Sequence, residues 1–537
     1  MKNFIWRVGD GFEANSVPRD AVLMGGMGLA SASPAGWTQR STIVVRWALI
    51  AGVMATVGCR TPEPPRVNGP TDVRERIEAL GGVSGMPGVV VLISVAGLTS
   101  DRYASAMGQA EMPTLAAMAG VGAAADAVAS VTPASTYPAH ATLVTGHLPD
   151  THGVPGDLKL GAHGVRSSPY WHTTQLQVPT LWDALSARGV AVASLAWPST
   201  LGADVRWLVP DRIPIRRGET WLGVLGDAAT AELLPLMVSH GAGEPAADSE
   251  GPARDAVLTG LACDLLASGA PPRLLLIRLT QTVAPVTREG IDSDAARDAF
   301  GAADADVAQL LECLSALGRL KDAAVVVVGD RGNAPVHTAI SINALLVREG
   351  LVTLDENTGQ VQEWVALARS NGGSAFVYAS SDRDALHARR SFEEAAERTR
   401  AFRVVSAESM ANAHADPRAW FGLEANPGYF FTDAMIPPLL SASPQRAVGG
   451  YFSTTPEMDV GFVAWGRGIR RHIRVPHMSL ADVAPTLAEL LGVRLEETQI
   501  PGGADPRLIE GRPLVGIFSL TPELATPQSD RTGRAEQ

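Results

Sequence analysis

The chain has 537 residues, of which 46% are hydrophobic and 19% charged, so it can bury a large core and is not disordered along its length. Lys and Arg number 44 and Asp and Glu 56, which gives a formal net charge of −12. This acidic balance argues against a nucleic-acid-binding protein, which needs a basic face. The three cysteines are too few for a disulfide framework, and no C-x-x-C pair is present for a thiolate zinc site.

The N-terminal region predicts export. A short apolar run, Trp47–Val57, lies beside Arg40 and Arg46 and ends just before Cys59, as in the core of a signal peptide. The small residues before Cys59 resemble a bacterial lipoprotein cleavage box, although Thr56 stands where such boxes prefer Leu. We expect a periplasmic or cell-envelope lipoprotein that is held to a membrane by a lipid on Cys59. An ordinary export signal with an incidental cysteine is the alternative.

Strands and helices then alternate along the chain. Continuous apolar runs between Gly and Pro are typical of strands buried on both faces of a parallel sheet, and capped segments predict helices. This alternation predicts an α/β fold with a mostly parallel central sheet and helices on both faces. In chain order we expect a strand at 88–95, helices at 113–120 and 180–188, strands at 190–197 and 273–279, a helix at 294–317, strands at 323–330 and 461–466, and a helix at 479–493.

The same patterns divide the chain into segments. No apolar run of 18 residues occurs past residue 60, so the body is expected to be soluble. A polar C-terminal tail is expected to be disordered. The expected divisions are an N-terminal extension with the signal segment (1–59), a linker (60–86), one large α/β domain (87–520) with an irregular inserted cap at about 345–450, and the tail (521–537).

Two further cysteines lie in helix-like segments. Cys263 falls in LACDLLAS and Cys313 in LLECLSAL, where a thiol acts as a small apolar side chain. We expect two buried thiols. A disulfide between them is the alternative that an exported protein allows.

The strongest chemical signal is the segment 130–157, SVTPASTYPAHATLVTGHLPDTHGVPGD. Ser135 and Thr136 precede Pro138 and a helix-like stretch that contains His140. A hydroxyl group at a helix N-terminus lies where the helix dipole favours a phosphoryl group. A simple helix cap made by Ser135 or Thr136 is the structural alternative.

This block resembles the type I phosphodiesterase/nucleotide pyrophosphatase family of the alkaline phosphatase superfamily. The resemblance implies an alkaline-phosphatase-like core with a smaller inserted cap. It also implies a two-zinc site, a Thr or Ser nucleophile that becomes phosphorylated, and hydrolysis of phosphodiesters or nucleotides. It continues in order from about residue 88 to 493 through MPTLAAMAGVG, PTLWDALSARG, AWPS, RLLLIRL, AAVVVVGDRGNAPV, SINALL, PEMDVGFVAWGRGI and DVAPTLAELLGV.

The residues that the family uses are only partly present. Thr136 occupies the nucleophile position, and Asp157 stands where the family commonly has an Asn that supports the transferred group. Asp330 is the one metal ligand that is kept. Zinc needs about three or four protein ligands, so the resemblance implies a site that is too depleted for metal. At the other ligand positions stand Ala96 and Val283 in place of Asp, and Thr287, Arg331 and Gly449 in place of His.

We therefore expect no cofactor and a catalytically inactive protein that binds or scaffolds. Its expected partner is a phosphate-containing small molecule or another envelope protein. Arg331 is expected to replace the charge of a metal by a bidentate pair with Asp330 and to face Thr136. Without a metal or a base, the Thr136 hydroxyl is a poor nucleophile, and His140 is expected to be structural, as it commonly is in this family block.

Two alternatives remain. One is a metal-free protein that binds anions. The other is an active phosphodiester or nucleotide hydrolase that uses Thr136 with altered metal ligands. Candidates for such ligands are Asp101, His152, Asp157, His163, His172, Asp292 and Asp294.

Overall fold

Strand β1 (Val89–Val95) shows why the sheet is buried on both faces. All seven of its residues are buried. Because successive side chains of a strand point to opposite faces, Val91 and Ile93 enter one hydrophobic core and Val90 and Leu92 enter the other. A strand with two apolar faces is stable only where helices cover both sides of the sheet.

The computed structural model describes residues 70–161, 164, 168–495 and 508–519. The strands in chain order are β1 (Val89–Val95), β2 (Ala123–Ala125), β3 (Val128–Ala129), β4 (Val192–Trp197), β5 (Trp207–Pro210), β6 (Leu274–Leu279), β7 (Ala323–Gly329), β8 (Ala334–Ser341), β9 (Val352–Leu354), β10 (Val361–Trp364), β11 (Ala366–Ser370), β12 (Ser374–Ala379), β13 (Phe402–Val405), β14 (Phe421–Ala425), β15 (Gly428–Thr432), β16 (Leu440–Ala442), β17 (Ala447–Val448), β18 (Phe462–Gly466), β19 (Ile473–Val475) and β20 (Met478–Ser479).

The α-helices complete the element order. They are α1 (Pro70–Leu80), α2 (Asp101–Ala104), α3 (Ala106–Glu111), α4 (Pro113–Val121), α5 (Thr136–Thr145), α6 (Pro149–His152), α7 (Leu181–Ser186), α8 (Trp221–Leu225), α9 (Leu233–Ser239), α10 (Pro252–Ala267), α11 (Val283–Glu289), α12 (Asp294–Ala316), α13 (Asn343–Arg348), α14 (Asp382–Thr399), α15 (Ala407–Asn412) and α16 (Val483–Leu491).

Eight strands form the central sheet in the order β19-β2-β18-β7-β1-β6-β4-β5. β1 runs parallel to β6 and β7, β4 runs parallel to β5 and β6, and β19 runs parallel to β2. Only β18 runs antiparallel to its neighbours, β2 and β7. Helices α1, α4, α10 and α12 contribute to the core on one face, and α5, α7 and α16 to the core on the other. This confirms the expected α/β fold.

Every strand and helix that we expected by position is present. Helix α7 begins after Thr180, whose side chain accepts a hydrogen bond from the backbone of Asp183. The predicted helix at 479–493 starts as a short 3-10 turn, Leu480–Asp482, and continues as α16. The remaining predicted ends fall within two residues of the observed ones.

The expected linker at 60–86 is wrong in part, because it contains helix α1. Val73 and Ile77, four residues apart, lie on one face of this helix and are buried in the core. The indole N–H of Trp465 also donates to the carbonyl oxygen of Ile77 at 3.1 Å. The helix is therefore part of the folded domain, which begins earlier than we expected.

The inserted cap is regular rather than irregular. Strands β11, β12, β14 and β13 form an antiparallel sheet in that order, with its own hydrophobic core. Helix α14 begins after Ser381, whose side chain caps the helix N-terminus, and it packs on this sheet through Phe392. Small and polar residues interrupt the apolar runs of these strands, as in ALARS, SAFVYA and FGLEA, which explains why they gave no clear pattern in the sequence.

Helices α10 and α12 are joined by a disulfide between Cys263 and Cys313, with their Cα atoms 5.7 Å apart. The expectation of two free thiols is therefore wrong, and the alternative is correct. The two helices pack side by side on one face of the sheet and bring the two cysteines together. Among the described residues, no helix has the length and apolar character that crossing a bilayer requires. Cys59 and the tail at 521–537 lie outside the described residues.

Candidate functional site

The candidate site lies at one edge of the central sheet. β1, β6 and β7 are adjacent and parallel, so their carboxyl ends meet at this edge, where α/β proteins bind ligands. Ala96 follows β1, Thr282 follows β6, and Asp330 follows β7. The hydroxyl of Thr282 donates to the carbonyl oxygen of Ala96 at 2.5 Å, which joins two of these strand ends.

Asp330 is the buried centre of the site. Its Oδ1 accepts hydrogen bonds from the backbone N–H groups of Gly97 at 2.9 Å and Arg331 at 2.8 Å. Its Oδ2 accepts from Nη1 of Arg331 at 2.7 Å and from the hydroxyl of Thr136 at 3.3 Å. Burial opposes ionisation, but the attraction of Arg331 and these donors outweigh it and lower the pKa of Asp330 below its ordinary value. The carboxylate is therefore ionised and fully paired.

Arg331 connects Asp330 with Thr136. The same Nη1 atom that donates to Asp330 also donates to the hydroxyl oxygen of Thr136. The expected bidentate side-chain pair is wrong, because the backbone N–H of Arg331 already occupies the other carboxylate oxygen. The guanidinium group does face Thr136. One cationic nitrogen thus contacts both the Thr136 hydroxyl and the Asp330 carboxylate, which are also hydrogen-bonded to each other.

Among the residues that the structure describes, no base is placed to activate Thr136. Its hydroxyl donates to an ionised carboxylate of low pKa, which is a weak base, and a guanidinium group cannot accept a proton. His140 donates from Nδ1 to the carbonyl oxygen of Thr136 at 2.7 Å and contacts Trp197 edge-on. Burial lowers the pKa of His140 to about 3. This neutral, packed imidazole has the geometry of a structural residue.

Asp157, and not Ser135 or Thr136, caps helix α5. The backbone N–H of Tyr137 donates to Oδ1 of Asp157 at 2.8 Å, whereas the side chain of Ser135 makes no capping bond. The capping alternative therefore named the wrong residue, because the acceptor comes from a loop that tertiary folding brings back. Burial raises the pKa of Asp157 above its ordinary value, against the effect of the Tyr137 N–H. A carboxyl group thus occupies the helix N-terminus, where the helix dipole would otherwise favour a phosphoryl group.

Positions of the lost metal ligands do converge. Ala96, Val283, Thr287 and Arg331 line one cleft at the sheet edge, together with Asn333. The sequence motifs therefore bring these residues to a common site, although none of the five side chains has a carboxylate or an imidazole that could bind zinc. The cleft is lined by apolar and hydroxyl groups and by the guanidinium of Arg331.

Gly449 lies against Arg331 with no room for a side chain. A Cβ atom at residue 449 would be 2.8 Å from Cδ of Arg331, 3.1 Å from the carbonyl oxygen of Gly332 and 3.2 Å from that of Ala134. Two of these neighbours are backbone atoms that cannot move independently. The aliphatic part of Arg331 thus fills the space into which a side chain at residue 449 would extend.

These residues do not fit a zinc pair. Within the described ranges, no group of three or more His, Cys, Asp and Glu side chains could hold a metal ion. The guanidinium group is always charged and repels a dication. His152 is buried and hydrogen-bonded to Thr142 at 3.1 Å, and His163 lies outside the described residues. The other candidate ligands that are exposed on the surface are Asp101, His172, Asp292 and Asp294.

A buried polar network behind α5 escaped the sequence analysis. The hydroxyl of Tyr137 donates to Asp211 at 2.9 Å, and Nη1 of Arg278 lies 3.3 Å from Asp211 and 3.1 Å from Glu250. The available signal was an arginine inside the apolar strand RLLLIRL, since a buried charge requires partners. Because Tyr137 follows Thr136, the network fixes the start of α5.

A family model described as Type I phosphodiesterase / nucleotide pyrophosphatase matches residues 90–448. No curated protein matches the chain by sequence. Among solved structures, human ectonucleotide pyrophosphatase / phosphodiesterase 5 is similar at 16% identity and a TM-score of 0.55, covering 76% of this chain and 96% of that one. The murine protein gives 16% identity and a TM-score of 0.55, covering 76% and 97%. An inactive variant of the murine protein in complex with AMP gives 16% and 0.53, covering 76% and 96%.

Proposed function

The chain belongs to the type I phosphodiesterase/nucleotide pyrophosphatase family, and from that premise we propose that it is a non-catalytic member that acts as a binding or scaffold protein of the cell envelope. One observation carries this proposal. Nη1 of Arg331 donates to both Thr136 and Asp330, so a permanent cation contacts the nucleophile position and the retained ligand at once. Around Thr136, the described part of the chain has no cluster of ligands for zinc and no base that would deprotonate threonine.

The site itself is also a poor receptor for a phosphoryl group. Asp157 presents a carboxyl group at the N-terminus of α5, where the N–H groups of a helix would otherwise favour an anion. The guanidinium of Arg331 is already paired with Asp330. This argues against the alternative of metal-free anion binding at Thr136 and favours a partner that recognises the surface of the folded domain.

Export is part of the proposal. The Cys263–Cys313 disulfide supports an oxidising compartment, because intracellular thiols are generally kept reduced. A lipid on Cys59 would hold the domain at a membrane. Metabolic labelling with radioactive palmitate tests this: the natural chain is expected to be labelled and the Cys59→Ser variant unlabelled. Labelling that survives in Cys59→Ser would contradict lipidation at this residue.

The loss of catalysis is tested by metal content and hydrolysis together. The purified exported protein is supplied with zinc, analysed by elemental mass spectrometry and assayed with bis(p-nitrophenyl) phosphate. We expect near-zero zinc and no hydrolysis above that of Thr136→Ala. A matched variant restores the family residues and is expected to gain zinc: Ala96→Asp, Asp157→Asn, Val283→Asp, Thr287→His, Arg331→His and Gly449→His.

A protein that binds zinc and hydrolyses the substrate would overturn the proposal. About two zinc ions per natural chain, with hydrolysis that Thr136→Ala abolishes, would show an active enzyme with relocated ligands. Thr136→Ala is the matched control, because it removes the nucleophile and leaves Asp330 and Arg331 in place. Hydrolysis that persists in this variant comes from a contaminant and not from the site.

A further inference from the structure

A second cleft lies between the loop after α6 and the cap. Its lining includes Gly156 and Tyr170 on one side and Arg369, Asn371, Tyr378 and Arg418 on the other, and we call it the cap cleft. Its lining residues flank Asp157 in the chain but include none of the residues that surround Thr136. The space within it, including its mouth, is about 220 Å³, which is smaller than a typical small-molecule pocket. The interior is narrow, so a ligand would contact the cleft at its mouth, where the Arg418 side chain is exposed.

Arg418 is held in this cleft by a buried carboxylate. Oδ1 of Asp416 accepts hydrogen bonds from Nε of Arg418 at 2.9 Å and from its backbone N–H at 3.0 Å. Oδ2 accepts from Nη2 of Arg418 at 2.8 Å and from the hydroxyl of Tyr378 at 2.8 Å. The Asp416 side chain is 1% exposed, whereas that of Arg418 is 60% exposed. A rigid guanidinium group is therefore presented to solvent in one orientation.

The rest of the lining adds polar groups but no open carboxylate. Asp416 is saturated by its four donors. Arg369 is paired with Asp433 at 2.9 Å. The amide of Asn371 and the hydroxyl of Tyr170, which lies 3.5 Å from Nη2 of Arg418, complete the polar lining. A fixed guanidinium fork with hydroxyl and amide groups beside it is suited to an oxyanion, because the fork matches two oxygens of a phosphate or carboxylate.

We propose that the cap cleft binds the oxyanion group of a small ligand, of the phosphate or sulfate type, through the outer edge of Arg418. The cleft is not strongly positive, since each guanidinium is paired with a carboxylate. Selectivity therefore comes from the orientation of the fork more than from net charge. The proposal does not rest on the loss of catalysis, because it uses only residues outside the Thr136 site.

The test is a calorimetric titration of the purified protein with inorganic phosphate at constant ionic strength. We expect saturable binding that sulfate displaces and chloride does not. Arg418→Gln is expected to weaken binding at least tenfold, and Arg418→Lys several-fold, since lysine keeps the charge but not the fork. Arg403→Gln is the matched control: Arg403 is 59% exposed and also paired with a buried acid, Glu424, but lies outside the cleft. It is expected to leave the affinity within twofold.

Asp416→Asn separates orientation from charge. It removes a negative charge and frees the guanidinium, so it should weaken phosphate binding if the oriented fork is the receptor. Stronger binding in Asp416→Asn would overturn the proposal in favour of simple charge attraction. Equal losses of phosphate affinity in Arg418→Gln and Arg403→Gln would show that binding is non-specific and would overturn the proposal. The absence of any phosphate binding by the natural chain would also overturn it. Circular dichroism verifies that each variant is folded.

Two further titrations locate the ligand and its source. If Arg331→Ala abolishes phosphate binding and Arg418→Gln does not, the anion binds at the Thr136 site and this proposal is wrong. The proposed function is tested separately, by the zinc content and the hydrolysis assay. Glycerol phosphate serves as a second probe. Binding tighter than that of inorganic phosphate supports a phosphorylated molecule as the ligand, and equal binding supports the free ion; both outcomes require the same loss in Arg418→Gln.

Discussion

The backbone N–H of Tyr137 donates to Oδ1 of Asp157 at 2.8 Å, so the chain places its own carboxyl group at the N-terminus of helix α5. An acidic group at this position interacts favourably with the helix dipole and satisfies a donor that the helix leaves unpaired. Asp157 therefore stabilises the start of the helix that carries Thr136, and it does so at the point where an anionic substrate group would otherwise lie.

Asp157→Ala is expected to lower the free energy of unfolding by about 1 kcal/mol, because the Tyr137 N–H loses its acceptor. Asp157→Asn keeps an acceptor oxygen and should stay within about 0.5 kcal/mol of the natural chain. Urea denaturation at neutral pH measures both variants. Equal losses in the two variants would mean that the negative charge, and not the hydrogen bond, is the stabilising feature.

Gly449→His is expected to destabilise the fold by about 1–3 kcal/mol, because its Cβ atom would lie 2.8 Å from Cδ of Arg331. Arg331→His together with Gly449→His should recover part of this loss, since the shorter side chain clears the space. Thermal or urea unfolding of the natural chain, the two single variants and the double variant gives a double-mutant cycle. Gly120→His is the control, because an added Cβ at residue 120 meets no atom within 4 Å. Additive effects in the cycle would contradict a steric link between the two positions.

Arg331→Met is expected to lower the free energy of unfolding by about 3 kcal/mol at neutral pH, because Asp330 would remain buried without its charged partner. Asp330→Asn in the same chain should restore part of the loss. The change of stability with pH follows from the lowered pKa of Asp330. The stability that this carboxylate contributes is present above its ordinary pKa of 3.8 and is lost as the pH falls. The difference in the free energy of unfolding between the natural chain and Arg331→Met should therefore become smaller in acid. A difference that becomes larger in acid would contradict this account.

The disulfide between α10 and α12 closes a loop whose ends are 50 residues apart. Loop-closure entropy predicts that Cys263→Ser together with Cys313→Ser lowers the free energy of unfolding by about 4 kcal/mol. Guanidinium denaturation of the natural and double-serine chains measures the difference. Reducing agent should weaken the natural chain and leave the double-serine chain unchanged; a response in both would point to an effect unrelated to this bond.

Buried histidines make the fold sensitive to acid. Burial lowers the pKa of His152 to about 3, below its ordinary value of 6.5, so its contribution to stability is complete above pH 6.5 and is lost as the pH falls towards 3. Each unit of pH in this window removes up to about 1.4 kcal/mol. His152→Asn, which cannot take up a proton, should show a shallower decline of the urea midpoint between pH 6.5 and pH 4. Parallel declines in the two chains would exclude His152 as the source.

The sequence predicted the central fold because its signals are local. Runs such as VVVLISV in β1 and AAVVVVG in β7 are apolar at every position, which happens where a strand is covered on both faces. Helix α1 was missed because its apolar face is narrow: Val73, Ile77 and Leu80 pack against the core, and most of the residues between them are charged. The cap strands were missed because polar residues such as Arg369 and Glu424 interrupt their apolar runs.

The sequence motifs predicted which residues lie near one another at the sheet edge, but not the contacts that they make. Aligning motifs at the ends of β1, β6 and β7 was enough to bring Ala96, Val283 and Arg331 to one cleft, because parallel strands end at the same edge. The shared Nη1 atom of Arg331 and the capping of α5 by Asp157 depend on side-chain direction and on a loop that returns to the helix. No spacing in the sequence encodes either contact.

The close approach of Arg331 and Gly449 also has a meaning for the history of the chain. A mutation that introduces histidine at residue 449 is penalised by collision while Arg331 remains, and histidine at residue 331 alone gives Asp330 a single companion ligand. The two positions are therefore sterically coupled, and we expect a side chain at residue 449 to be tolerated only in relatives that carry a shorter residue at position 331.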